Sequence, residues 1–269
     1  MRRKRSATYR AGATARGPSG PTIETPETIP GLKAWFDVRD PIYFALGAGD
    51  TVSAWLSRAG TIGGGLAWQQ AVAASQPVRL SSDPLFAGAP SVSFDGVNDS
   101  LLTTNSAAWK FLHDGTGQSA FRVYWMDPTG PGVQQFVANS NAVTQSGVQQ
   151  SVNTSSVALT INKGVTPAAN ALSGVNQTPK GVARWHMTAH GANVQYSRTS
   201  VSGVSQLDTS GPLSALNPSA TLRMGAASAG SSLFLKGRVV QDIYYDHALI
   251  PSEWAALGAW AAATFGVAP

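Results

Sequence analysis

Side chains able to do acid–base chemistry are few in this chain. Residues 31–269 contain a single glutamate, Glu253, and most aspartates stand beside turn residues such as glycine and proline. Hydrolysis of a glycosidic bond needs two carboxyl groups that face each other across that bond. Asp242 and Asp246 share a face if they lie on one strand, but they are then too far apart to act as this pair without a further partner. We therefore expect no catalytic residues and no enzyme activity.

Two histidines have a spacing that could serve a metal. His186 and His190 are four residues apart, which on a helix would be a zinc-binding spacing. Their segment, "VARWHMTA", has the composition of a strand, and on a strand both histidines share one face. We expect that face to be exposed, with the alternating Trp185 and Met187 facing inward. No third ligand of the right type is nearby, so the sequence predicts no zinc site.

Asp95, Asn98 and Asp99, in "PSVSFDGVNDSLLT", place three side-chain oxygens close together. Calcium is bound by oxygen ligands of this kind. The same residue types form turns, because their side chains accept hydrogen bonds from the local backbone. The turn is the favoured interpretation, and calcium, the one cofactor that the sequence suggests, stays open as the alternative.

The chain is rich in aromatic residues, with eight Trp and six Tyr. Exposed aromatic rings can stack on the faces of sugar rings, whereas rings in dense apolar strands are core residues. Trp35, Trp68 and Trp109 lie outside the densest strands. They are the candidate sugar-stacking residues, and Trp35 in particular alternates with an apolar face.

Short strands must position these side chains. Eleven or twelve segments, such as "SAFRVYWM" at 119–126, have strand composition, and most are bounded by Gly, Pro, Asn or Asp. One segment, "PSEWAALGAWAAATF", predicts a helix that begins at Pro251, with Glu253 in its first turn. The pattern predicts an all-β fold over residues 31–269, a two-sheet antiparallel sandwich with one short C-terminal helix. We expect the helix to pack on the sandwich edge or to close one end.

The order and spacing of three stretches indicate a family: "PGLKAWFDVRD…VSAWLSRAG", "PSVSFDGVNDSLLT" and "LRMGAASAGSSLFLKGRVVQDIYYDHALIPSEWAALGAW". Together they resemble the concanavalin A-like jelly-roll superfamily, in its laminin-G-like branch, over roughly residues 30 to 265. The resemblance implies a jelly-roll sandwich. The family often places Ser or Thr before the final helix as a cap, whereas this chain has Ile250 there.

A small body rich in Gly, Ser, Thr and Asn on this fold also looks like virion structural proteins of tailed bacteriophages. Such domains occur there as capsid decorations, head fibres and tail-associated subunits. The resemblance implies a location on the particle surface, other virion proteins as partners (major capsid or tail subunits), and assembly as a homo-oligomer.

The first thirty residues form a basic arm that ends in a Pro/Gly linker. They carry six basic and two acidic residues, whereas residues 31–269 carry thirteen and twelve, so most of the net charge of +5 lies in the arm. Such an arm can bind acidic surfaces of neighbouring subunits, and any contact with nucleic acid would be through the arm alone. No apolar run approaches the ~20 residues of a membrane span, so we expect no membrane partner. The anchoring residues that we predict are Arg2, Arg3, Lys4, Arg5, Arg10 and Arg16.

The sequence supports two hypotheses about function. The leading one is a non-enzymatic capsid decoration or minor capsid protein that is anchored by its arm. The alternative is a carbohydrate-binding, host-adhesion module on a phage tail or head fibre.

Overall fold

The computed structural model describes residues 25–59, 66–103, 107–114, 117–140, 145–152, 157–163, 171–173, 180–191, 194–199 and 216–268. The anchoring role of the arm therefore stays a prediction. The glycine-rich stretch "GTIGGG" lies outside the described ranges, and so do the six predicted anchoring residues, Arg2, Arg3, Lys4, Arg5, Arg10 and Arg16.

The described residues form sixteen strands and one α-helix, α1 (Pro251–Phe265). The sequence predicts eleven or twelve strands; several of the sixteen have only two or three residues, which is too short for a recognisable pattern. The strands are β1 (Leu32–Asp37), β2 (Phe44–Leu46), β3 (Val52–Leu56), β4 (Ala67–Gln69), β5 (Val78–Leu80), β6 (Ser91–Asp95), β7 (Leu101–Thr103), β8 (Gln118–Met126), β9 (Gln134–Ala138), β10 (Ser146–Val152), β11 (Val157–Lys163), β12 (Ala171–Ser173), β13 (Arg184–Gly191), β14 (Val194–Thr199), β15 (Arg223–Met224) and β16 (Lys236–Tyr245).

Short 3-10 turns connect many of these strands. They cover Pro26–Thr28, Pro41–Tyr43, Ala48–Asp50, Ala73–Ser75, Pro84–Phe86 and Ala107–Leu112.

The strands form two sheets in which all pairings between named strands are antiparallel. The back sheet has seven strands in the order β14-β13-β8-β16-β6-β5, and β1 pairs with β16 beside β6. The front sheet has nine, in the order β12-β11-β10-β9-β15-β7-β4-β3-β2. The structure thus confirms the predicted two-sheet antiparallel sandwich with a C-terminal helix.

Aromatic side chains fill the space between the sheets. Tyr124 of the back sheet meets Phe136 of the front sheet, with ring centroids 4.6 Å apart. Phe36 and Trp55 make an equivalent contact at 5.7 Å. All four side chains are buried, so the core lies between the sheets, as the burial of apolar faces requires.

Helix α1 covers the outer face of the back sheet. Trp260 of α1 packs edge-on against Trp35 of β1 at 6.0 Å, and Trp254 lies 6.5 Å from Trp185 of β13. The helix therefore lies on a sheet face, and the expectation that it packs on an edge or closes an end was wrong. Because of this cover, the part of the back sheet that lies beneath α1 is buried on both faces.

The ends of α1 follow from local sequence. Ile250 offers no side-chain cap, and the carboxylate of Glu253 instead accepts the hydrogen bond of the Ile250 N–H at 2.9 Å. Gly266 ends the helix with a φ of +66°, a conformation that glycine adopts without strain.

Candidate functional site

The centre of the sandwich holds a buried ion pair. The guanidinium of Arg122 on β8 donates to Asp242 on β16, with 2.9 Å between Nε and Oδ1 and a shorter bond from Nη2. Nη1 of Arg122 donates to Gln150 of the front sheet at 2.6 Å, and Nη2 lies 3.1 Å from the hydroxyl of Tyr244. Gln150 in turn donates to Thr188 at 2.8 Å. One network of hydrogen bonds therefore joins both sheets.

This network is closed to solvent. Arg122 and Asp242 are 1% and 0% exposed, so no substrate reaches them. Burial alone would lower the pKa of Arg122, but the charge of Asp242 outweighs burial and raises that pKa. The pair is structural: it fixes how the two sheets meet.

His186 and His190 also lie inside the sandwich, and the expectation that they are exposed was wrong. Both are 0% exposed, because their face of β13 points at the front sheet while Trp185 and Met187 lie on the other face, where Trp185 packs against α1. His190 contacts the carbonyl of Leu112 through Nε2. Burial lowers the pKa of His190 to about 4 and that of His186 well below its usual range. Both rings are therefore neutral at physiological pH.

The three candidate sugar-stacking residues are core residues. Trp35, Trp68 and Trp109 are 1%, 0% and 0% exposed. Trp68 and Trp109 stack on each other at 5.8 Å, and Nε1 of Trp35 donates to Gln241 beneath α1. The prediction that these rings can stack on a sugar was wrong, because a ring needs an open face to do so.

Asp95 and Asp99 come together, and both carboxylates bind the backbone of their own loop. Oδ1 of Asp95 accepts from the N–H groups of Val97 at 2.7 Å and Asn98 at 3.2 Å, and Oδ2 of Asp99 accepts from Asp95 N–H at 2.9 Å. Burial raises the pKa of Asp99 to about 6. These are the hydrogen bonds of a turn, and Gly96 supports it with a φ of +81°.

Two further findings bear on cofactors and membranes. Across the described residues, no group of three or more His, Cys, Asp or Glu side chains is arranged to hold a metal ion. Within the same part of the chain, none of the helices combines the length and apolar character needed to cross a membrane.

A second carboxylate, Asp37, is buried beside α1. It is 0% exposed and forms ion pairs at 2.7 Å with both Arg39 and Arg58. Burial alone would raise the pKa of Asp37, but the hydrogen bonds from Arg39 and Gln241 outweigh it and lower that pKa. Arg58 also lies over the ring of Trp35 at 4.3 Å. The ion pairs of both arginines with Asp37 thus stabilise the position of β1.

The outer face of the front sheet differs in character from the back sheet. Its strand register places one row of neighbouring residues across six strands, and the polar members of that row are half-buried or exposed. Gln150, the neighbour of Gln149, points inward to Arg122, so Gln149 points outward. We call this row the polar row: Gln69, Leu102, Arg223, Ala138, Gln149 and Thr160.

Arg223 is the charged member of the polar row. Its Nη1 lies 2.9 Å from the hydroxyl of Ser100, and its Nε lies 3.4 Å from the carbonyl of Ser228. Burial lowers the pKa of Arg223, and no charged neighbour opposes that effect. The sequence does not predict a role for Arg223, because nothing in "ATLRMG" distinguishes an arginine with a partner from one without.

Sequence comparisons give no relative. No protein-family model matches the chain, and no curated protein matches its sequence.

Comparison with solved structures shows the fold. The receptor-binding domain of botulinum neurotoxin D matches with a TM-score of 0.58 at 7% identity, over 86% of this chain and 52% of that one. Trypanosoma rangeli sialidase in complex with sialic acid matches with a TM-score of 0.55 at 11% identity, over 91% of this chain and 34% of that one. The chain therefore spans about a third to a half of these structures, and the likeness extends to a β-sandwich region in each.

Proposed function

We propose that this chain is a non-enzymatic binding domain that binds a glycan on the outer face of the front sheet. The observation that carries the proposal is the polar row. Gln69, Gln149 and Thr160 present amide and hydroxyl groups, which both donate and accept hydrogen bonds, as sugar hydroxyls do. The helix α1 packs on the other sheet, so α1 does not cover this face.

The structural likenesses support a binding role. One matching structure is a receptor-binding domain and another holds sialic acid, and this chain shares their fold. Recognition here would use hydrogen bonds more than ring stacking, because Trp35, Trp68 and Trp109 are buried.

The state of two carboxylates supports a role without catalysis. Asp242 is buried and paired with Arg122. Glu253 lies 3.2 Å from His247 and also accepts the N–H of Ile250, so it is engaged in holding the start of α1. Glycoside hydrolysis needs two carboxyl groups that are free to reach a substrate.

A glycan array with the full chain tests the proposal. Positive glycans would then be titrated by calorimetry against a double variant, Gln149→Ala/Thr160→Ala, and a matched control, Ser81→Ala/Ser82→Ala, whose exposed side chains follow β5 of the back sheet. We expect the first variant to weaken binding roughly tenfold or more through lost hydrogen bonds, and the control to bind as the native chain does. An array without any bound glycan would refute the proposal.

The composition of the arm favours a second role, attachment to a virion. Six of the nineteen basic residues lie within the first sixteen positions, and a basic arm gains charge-assisted contacts with acidic subunits. The experiment deletes residues 2–29 and compares co-sedimentation with phage particles that lack the protein. Loss of co-sedimentation by a folded, shortened chain would support attachment through the arm; undiminished binding would refute it.

A further inference from the structure

Arg223 lacks a carboxylate partner in the described part of the chain. The chain has fourteen acidic residues, of which only Glu24 and Asp208 lie outside the described ranges. None of the other twelve forms an ion pair with Arg223, although most described arginines at comparable depth have one, as Arg238 has with Asp83 at 3.6 Å. A half-buried cation without a counter-ion pays a desolvation cost that a bound anion would offset.

The guanidinium of Arg223 is nevertheless held in one position. The Ser100 hydroxyl and the Ser228 carbonyl contact Nη1 and Nε, and the backbone of Gly230 lies against the guanidinium. A Cβ on Gly230 would lie 2.6 Å from Cζ of Arg223, so any larger residue at this position would displace the guanidinium. In the part of the chain that the structure describes, no residue accepts a hydrogen bond from Nη2.

A second layer of hydrogen bonds holds Ser100. Nε2 of Gln70 donates to the Ser100 carbonyl at 2.9 Å, and Nε2 of Gln76 donates to the Gln70 carbonyl at 2.7 Å. Ser100, Gln70 and Gln76 are at most 9% exposed. The binding group is therefore fixed before a ligand arrives, which lowers the entropy cost of binding.

We propose that Arg223 is the receptor for the carboxylate of an acidic sugar, an inference that rests on the proposed glycan-binding function. A planar guanidinium fork matches a carboxylate in shape and charge. A single guanidinium suits a singly charged group better than a phosphate, which carries more charge and more acceptor oxygens. The neighbouring polar row would bind the hydroxyls of the same sugar.

The test titrates the full chain with sialic acid, glucuronic acid and galacturonic acid, each beside its methyl ester, which keeps the hydroxyls and removes the charge. Arg223→Gln is compared with Arg238→Gln, which removes the same charge from the back sheet. We expect Arg223→Gln to weaken binding of the acid roughly 10- to 100-fold and to leave the ester unchanged. Arg223→Lys should recover only part of the loss, because lysine keeps the charge without the fork.

The outcomes separate the two proposals. Equal binding of acid and ester by the native chain would overturn the carboxylate inference while leaving glycan binding intact. Binding of poly-glutamate through Arg223, with no bound sugar, would overturn both the sugar assignment and the proposed function. Thermal unfolding of each variant identifies a loss that is due to misfolding, and Arg223→Lys keeps the inference testable if Arg223→Gln unfolds.

Discussion

Arg122 and Arg223 show two ways in which one sandwich treats a cation. Arg122 is 1% exposed, and its donors meet a carboxylate, an amide and a hydroxyl. Arg223 lies on the outer face of the other sheet, where its side chain is fixed by Ser100 and a carbonyl but meets no described carboxylate. Both side chains are ordered by hydrogen bonds, so order alone does not distinguish them.

The difference lies in what balances the charge. A fully buried charge must be paired inside the fold, because water cannot solvate it. A half-buried charge can be left to solvent or to a ligand at a smaller cost. The interior pair therefore serves stability, and the outer arginine is free to serve binding.

The largest expected effect is on the interior pair. Asp242→Asn removes the counter-ion of Arg122 with little change of volume, and we expect the free energy of unfolding to fall by about 3–5 kcal/mol. The control is Asp246→Asn, which breaks the pair of Asp246 with Lys33, where the side chains are 37% and 35% exposed. That loss should be about 0–1 kcal/mol. Urea unfolding measures both, and equal losses would contradict the comparison.

Acid should weaken the same interior through its histidines. Burial holds the pKa of His190 at about 4, below the usual 6.5, and lowers the pKa of His113 and His186 too. Neutral histidine is thus favoured by folding, so stability is present above pH 6.5 and is lost as the pH falls towards 4. His190 alone should account for about 3 kcal/mol.

Asp99 opposes this loss and provides the control. Its pKa is raised from 3.8 to about 6 by burial, so its contribution to stability is present below pH 3.8 and is lost as the pH rises through 6. In Asp99→Asn this opposing contribution is absent. Unfolding free energies measured against pH should therefore fall more steeply on acidification in Asp99→Asn than in the native chain. A shallower fall in Asp99→Asn would show that folding does not raise the pKa of Asp99, and the absence of a fall in both proteins would show that the histidines are solvated.

Alanine substitutions at Gly230 and Gly181 test whether the position of the Arg223 side chain matters for binding. Both glycines have positive φ, +72° and +82°, so alanine at either position should cost about 1 kcal/mol of backbone strain. A Cβ at Gly230 would meet the Arg223 guanidinium, whereas a Cβ at Gly181 would meet nothing within 4 Å. Gly230→Ala should therefore also weaken binding of an acidic sugar, and Gly181→Ala should not. Similar binding by both variants would mean that the position of Arg223 does not matter.

Local sequence patterns predicted the secondary-structure elements better than the burial of the residues within them. The helix at 251–265 and the central strand at 119–126 were readable, because capping, periodicity and apolar density are local properties. Alternation also predicts which residues share a face, but it implies one buried face per strand. In the back sheet α1 covers the second face, so both faces are buried there: Trp35 lies beneath α1, and His186 and His190 lie between the sheets.

The buried ion pair and the Arg223 site could not be predicted from local sequence patterns. Arg122 and Asp242 are 120 residues apart in the chain, and no local signal joins them. The proposal for Arg223 depends on the absence of a carboxylate partner among the described residues, which only the folded arrangement of those residues reveals.

A substitution of Arg184 tests whether every charge buried in the interior is paired with an opposite charge. Arg184 is 1% exposed, its Nε lies 3.4 Å from the Val182 carbonyl, and its Nη1 has no partner among the described residues. Burial lowers its pKa. Arg184→Met replaces a buried charge that has no carboxylate partner among the described residues by an apolar chain of similar length, and we expect the free energy of unfolding to stay the same or rise by about 1 kcal/mol.

The outcome of Arg184→Met is best judged against Asp242→Asn. If Arg184 has no counter-ion, removing its charge relieves a desolvation cost, and urea unfolding should show no loss. A loss as large as that of Asp242→Asn would instead mean that Arg184 is paired, and only Glu24 and Asp208 lie outside the described ranges to provide the carboxylate. Either Asp208→Asn or Glu24→Gln would then reproduce the loss, and both buried arginines of the described interior would have a counter-ion, which would leave Arg223 as the sharper exception.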